Sequence, residues 1–154
     1  TKAESINMTE ITRANIADLE ELSLLFDAYR VFYGKATDLE GAAFFLSERI
    51  IKEESVIYIA RTKGIMVGFT QLYPLFSSTN MNRIWLLNDL YLHPDYRGLK
   101  ISNLLLDRAK QLALETKAIG ISLETARTNI PGNALYPKAG FKLDEDHNYY
   151  FWSV

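Results

Sequence analysis

The chain has no cysteine, which removes disulfides, thiolate metal sites and cysteine nucleophiles together. It has only two histidines, His93 and His147, far apart in sequence, so no metal is expected. No apolar run approaches the roughly 20 residues that a spanning helix requires. No charged-then-apolar leader opens the chain either. A cytoplasmic protein with no membrane partner is therefore expected. The formal charge of -2 supplies no bulk attraction for nucleic acid, and none is expected as a partner; a histone or a nucleic acid would need a local basic patch. Proline is scarce, at four residues, while hydrophobic residues make up 48% and charged ones 23%, a balance that argues for a folded chain over extended disorder. A length of 154 residues suits one domain, 1–154, with a real core.

What is present is organised around Asn88 to Leu106, NDLYLHPDYRGLKISNLLL. A strand from Ile84 to Leu92 runs into a turn at His93-Pro94-Asp95 and a basic loop at Arg97-Gly98. A helix follows, with apolar residues at Ile101, Leu104, Leu105, Ala109 and Leu112, and runs to about Lys117. A strand delivered straight into a helix leaves first-turn amides unpaired and backed by the positive end of the helix dipole, which is an anion-binding arrangement. Arg97 and Lys100 add two cations, so phosphate or pyrophosphate fits the local chemistry best. A solvated basic turn fits the same residues.

Elsewhere the spacing predicts an edge strand over Ile6 to Ile11 and a helix capped by Asn15, with Asp18 at its third position. That helix carries Ile16, Leu19, Leu22, Leu25, Phe26, Tyr29 and Phe32 on one face, a core face or a pocket wall, and stops near Gly34. A second helix spans Asp38 to Ile51, with Leu39, Ala42, Ala43, Leu46 and Ile50 inward and Glu40, Glu48 and Arg49 in water. Val56 to Ala60 and Ile65 to Tyr73 form a hairpin around Lys63-Gly64, with Pro74 ending regular pairing. After a loop at Ser77-Ser78-Thr79-Asn80 comes the strand of the central stretch. Ile119 to Ala126 then returns as a parallel strand. A short helix from Pro131-Gly132-Asn133 to Lys138 follows, stopped by Gly140, and Phe141 begins a last β region ending in Tyr149, Tyr150, Phe151 and Trp152. This aromatic run suits a core strand or pairing with a second copy as a homodimer. The fold class is α/β with a mixed sheet.

Three signals occur in fixed order: a strand ending in NDLYL, a loop YRGLKIS leading into a helix, and NIPGNALYPKAGF after the next strand. Together they resemble the GNAT superfamily of acyl-CoA-dependent N-acyltransferases. The FDAYRVFYG helix and GFTQLYP are similar to the branch that includes histone- and polyamine-acetylating members. The resemblance implies a mainly antiparallel central sheet with one parallel strand-helix-strand crossover and helices on both faces. It also implies acetyl-CoA as cosubstrate and a small-molecule or peptide amine as acceptor. Carried over residue by residue, it makes Arg97 the first position of an R-x-x-G-x-G/A signature, and Arg97, Gly98, Leu99, Lys100, Ile101 and Ser102 the cradle of the coenzyme A pyrophosphate. Lys100 and Ser102 depart from the pattern, standing where glycine and glycine or alanine are usual. A left-handed backbone at Lys100 would cost on the order of 1 kcal/mol.

The resemblance further places Leu90, Tyr91 and Leu92 along the pantetheine arm, with a freed N–H polarising the thioester carbonyl. It matches Asn129 to an asparagine near pantetheine and Tyr136 to a tyrosine near the sulfur, the acid for the departing thiolate. A core aromatic is the other reading of Tyr136. A lysine-like amine has a pKa of about 10.4, so only about one molecule in several thousand is the free base at pH 7. A general base is therefore useful. Asp89, near the end of the central strand, and Glu124, on the neighbouring parallel strand, are the candidates; either can instead be a paired structural acid. A non-catalytic acyl-CoA-binding module is the competing reading.

Overall fold

A computed structural model describes residues 1–154, and the chain divides into two units, Thr1–Leu123 and Glu124–Val154. In the first, Thr1 and Glu4 form a capping box that winds Lys2–Asn7 into a helix, α1. Ile6 and Asn7 are consumed by it, so the edge strand predicted from Ile6 starts later, as β1 (Thr9–Arg13). The Asn15 side chain accepts the Ala17 N–H at 2.8 Å, and Asp18 accepts the Asn15 N–H at 2.9 Å. This box closes a 3-10 turn that feeds α2 (Leu19–Phe32). Asp38 caps α3 (Leu39–Ile51) by accepting the Gly41 N–H at 2.9 Å.

Between these two helices the Asp27 carboxylate gathers the Asp38 N–H at 2.8 Å, the Thr37 hydroxyl and Arg30. The Asp38 N–H, then Thr37, hold its pKa below the usual carboxylate range. The spacing was right for Ala42 and Leu46, which are buried. Leu39 is exposed, because as the first helical residue it precedes the turn that meets the sheet. Arg49 is half-buried instead of solvated, with its guanidinium 4.5 Å over the Phe45 ring and Nε 2.7 Å from Glu54.

β2 (Val56–Thr62) and β3 (Ile65–Ser77) meet at Lys63-Gly64, both left-handed, as a tight hairpin turn demands. β4 (Asn82–Leu92) continues the meander. Pro74 does not end β3, contrary to expectation; it pairs with Trp85. Trp85 donates its N–H away from β3, to the Gly120 carbonyl at 3.1 Å, so this is a pair that exchanges no bonds, and the missing proline N–H would face an edge that β2 has already left.

α4 (Ile101–Glu115) leads to β5 (Ile121–Ser122), which runs parallel to Trp85 and Leu86. The sheet order is β1-β2-β3-β4-β5, antiparallel except for the last pair. Ile57, Ile59, Phe69 and Tyr91 pack against Leu22, Leu25, Phe26, Ala42 and Leu46 of α2 and α3. Tyr58 points to the opposite face, where Arg108 of α4 lies 4.5 Å over its ring and Ile101, Leu105, Leu106 and Ala109 are sealed from solvent. Each leucine so sealed contributes about 1.5–3 kcal/mol.

In the second unit, α5 (Ile130–Lys138) is the only helix and there is no strand. The β region predicted from Phe141 to Trp152 does not form. Aromatic residues favour strands, but a strand exists only when a ladder pairs it, and none pairs here. Tyr149, Tyr150, Phe151 and Trp152 are exposed.

Candidate active site

The end of β4 is irregular in a useful way. Gln71 opposes Asp89 and Leu72 opposes Leu87, so Asn88 is an extra residue with no opposite number, a β-bulge. His93 donates its N–H to the Val67 carbonyl at 2.7 Å. Counting back by alternation turns the N–H groups of Leu90 and Leu92 away from β3, toward the edge on the β5 side. β5 covers only Trp85 and Leu86. The predicted strand Ile119 to Ala126 is thus cut to two residues, and the Leu90 N–H lies on an uncovered edge. On the same edge the Leu92 carbonyl accepts Arg97 Nε at 3.1 Å.

The loop turns through a 3-10 segment, Pro94–Tyr96, fixed where the Asp95 N–H meets His93 Nδ1 at 3.2 Å. Gly98 has φ 73° and Lys100 φ 62°, ψ 16°. Lys100 therefore does occupy the left-handed region, at a cost of about 1 kcal/mol. It directly precedes Ile101, and no side chain caps α4; the Lys100 carbonyl accepts the Asn103 N–H at 3.2 Å, which leaves the Ile101 and Ser102 amides as the open ones of the first turn. Arg97, Gly98, Leu99, Lys100, Ile101 and Ser102 are in this way brought to one strand-to-helix junction at the end of Leu90-Tyr91-Leu92. The Arg97 guanidinium lies 4.9 Å from the Phe32 ring centre and 5.4 Å from that of Tyr91.

Asp89 is 5% exposed. Gln71 Nε2 donates to its Oδ2 at 2.7 Å, Asn88 Nδ2 to its Oδ1 at 3.1 Å, and the Tyr29 hydroxyl also donates to it. Ser55 Oγ in turn donates to Gln71 Oε1 at 2.8 Å. Burial pushes the Asp89 carboxyl above its ordinary pKa, against the pull of these donors. The Tyr73 hydroxyl is pushed up to about 12, by burial first and then by the Asp89 charge. Tyr29, Gln71 and Ser55 were not singled out from the sequence. The one signal for Gln71 was a polar residue inside the apolar run GFTQLYP; Tyr29 was hidden among the aromatics of α2.

In the second unit Glu124 is exposed and lies on no strand, because β5 stops at Ser122. Asn129 caps α5, accepting the Gly132 N–H at 3.2 Å and donating to Thr125 Oγ1 at 2.8 Å. A side chain at position 132 would strike the Asn129 amide and displace it from its cap, which favours glycine there. Tyr136 is half-buried with its ring 5.9 Å from that of Phe141, edge to face. No group of three or more His, Cys, Asp or Glu side chains is placed to hold a metal, and no helix is long and apolar enough to cross a membrane.

Residues 20–141 match the acetyltransferase (GNAT) family. The chain is 40% identical to the uncharacterized N-acetyltransferase YhfO of Bacillus subtilis over 94% of its own length and 97% of the relative's. It is 29% identical to a probable acetyltransferase of Haemophilus influenzae over 88% of this chain and 91% of that one. The crystal structure of a probable acetyltransferase superposes with a TM-score of 0.90 at 36% identity, covering 94% of this chain and 97% of that chain.

Proposed function

This chain belongs to the acetyltransferase (GNAT) family, and from that premise we propose that it moves the acetyl group of acetyl-CoA to a primary amine by direct transfer, with both substrates bound together. The observation that carries the reading is the uncovered edge of β4. It sets the outward N–H of Leu90 one strand-end away from the open Ile101 and Ser102 amides of α4. A diphosphate at that helix start is held by amides, dipole and the charges of Arg97 and Lys100. An extended arm running back along Leu92, Tyr91 and Leu90 meets an N–H suited to a developing oxyanion.

Asp89 is the proton acceptor in this reading, reached through Tyr29. The carboxylate is buried, whereas Tyr29 is half-buried and donates to it. The amine loses its proton to the Tyr29 oxygen as the Tyr29 proton passes to Asp89. The N–C bond forms at the thioester carbon, the C–S bond breaks, and Tyr136 protonates the leaving thiolate and regains its proton from the second one that the nitrogen sheds on becoming an amide. Asn129, by its match to the family's asparagine, contacts the pantetheine arm. Glu124 is the weaker base candidate, since it is exposed and has left the strand that was to aim it.

The acceptor is a small-molecule amine in the first instance, with a protein lysine or N-terminal amine as the other class. Thiol release from acetyl-CoA is the test, measured against polyamines, aminoglycoside-like amines, amino acids and peptides. Release with one amine class supports the reading and names the class. Uptake of acetyl-CoA without release to any amine would make the chain a binding module.

A further inference from the structure

Phe32 is the last residue of α2 and is 58% exposed, one of several large apolar side chains at the surface; what sets it apart is its neighbour. What it touches is the cofactor loop. The Arg97 guanidinium stands 4.9 Å from the Phe32 ring centre, and the Tyr91 ring, 6.2 Å from that of Phe32, flanks the same cation at 5.4 Å. With Nε spent on the Leu92 carbonyl at 3.1 Å, the guanidinium is fixed by one carbonyl and two rings. These partners are neutral, so they hold the cation without cancelling its charge, as a carboxylate would. An arginine held in this way loses less freedom when an anion arrives.

Resting on the acetyl-CoA reading above, we infer that Phe32 is a positioning residue for the cofactor: its ring holds Arg97 in the pose that receives the diphosphate. The closing turn of α2 is thereby part of the cofactor site although it touches no phosphate.

Calorimetric titration of acetyl-CoA into the full chain tests this. Phe32→Leu should weaken binding about two- to fivefold, the range of an exposed cation–ring contact. Phe32→Tyr should restore it, and Arg97→Lys, which keeps the charge but loses the flat face, should weaken it at least as much. On an Arg97→Gln background Phe32→Leu should add nothing. Native affinity in Phe32→Leu, or an undiminished loss on the Arg97→Gln background, overturns the role of Phe32 alone. No uptake by the native chain overturns the acetyl-CoA reading together with it.

Discussion

Gln71 Nε2 donates to Asp89 Oδ2 at 2.7 Å across the β3–β4 ladder, at the last register before the bulge. The Gln71 amide is held in this orientation by the carboxylate, which accepts only and would repel the amide oxygen of a flipped Gln71; that oxygen instead accepts from the Ser55 hydroxyl at 2.8 Å. The carboxylate thus sits at the end of a buried polar chain whose donors favour its charged form while its burial disfavours it.

Asp89→Asn separates stability from activity. Burial raises the folded pKa of Asp89 above its unfolded value, so folding is favoured by this group at low pH. That advantage is lost as the pH rises from the unfolded pKa through the folded one. The asparagine variant should melt higher than the native chain at pH 8, with the difference shrinking toward pH 4, while turnover falls at least tenfold. A native chain that melts higher at pH 8 would contradict the burial argument; unchanged turnover and pH–rate profile would remove Asp89 as the proton acceptor.

Leu90→Pro deletes one N–H on an edge where no ladder partner waits. The variant should fold, as judged by circular dichroism, and bind acetyl-CoA, yet lose about a hundredfold in kcat if that N–H serves the oxyanion. Native turnover in a folded variant would exclude it.

Tyr136→Phe keeps the ring that meets Phe141 and removes only the hydroxyl. Turnover should drop more than tenfold with the KM for acetyl-CoA within about twofold of native. Equal turnover with poor leaving-group analogues would show that the thiolate departs without this proton.

Lys100→Gly relieves a left-handed lysine worth about 1 kcal/mol but restores unfolded-chain freedom of about 0.5–1 kcal/mol. Melting should shift by only a few degrees. Acetyl-CoA binding should become less sensitive to salt between 0.05 and 0.5 M, those concentrations being about 14 and 4 Å in screening length. An unchanged salt slope would mean that the lysine charge never reaches the phosphates.

Much of the fold, and the loop that carries the candidate cofactor cradle, was legible because it is local. The Asn15–Asp18 box, the Lys63-Gly64 turn and the Arg97-to-Ser102 junction are each written in neighbouring residues, and each is where the spacing put it. The length of β5 was not legible, since a run such as Ile119 to Ala126 carries strand propensity whether or not a ladder holds it. The same holds for the tail ending at Trp152, and it is why Glu124 lost its strand. Partners brought together by the sheet were hidden as well. The Gln71–Asp89 bond depends on a bulge at Asn88 that shifts the register by one, and Phe32 meets Arg97 only after α2 has packed on the sheet.

The shortness of β5 has a colloidal side too. Past Leu86 the chain leaves backbone donors and acceptors facing outward in the middle of its longest ladder, which is the kind of border onto which stray strands polymerise. The kink at Asn88 twists that border out of plane and makes it a poor template, so straightening it by deleting Asn88 would leave a flatter and stickier border.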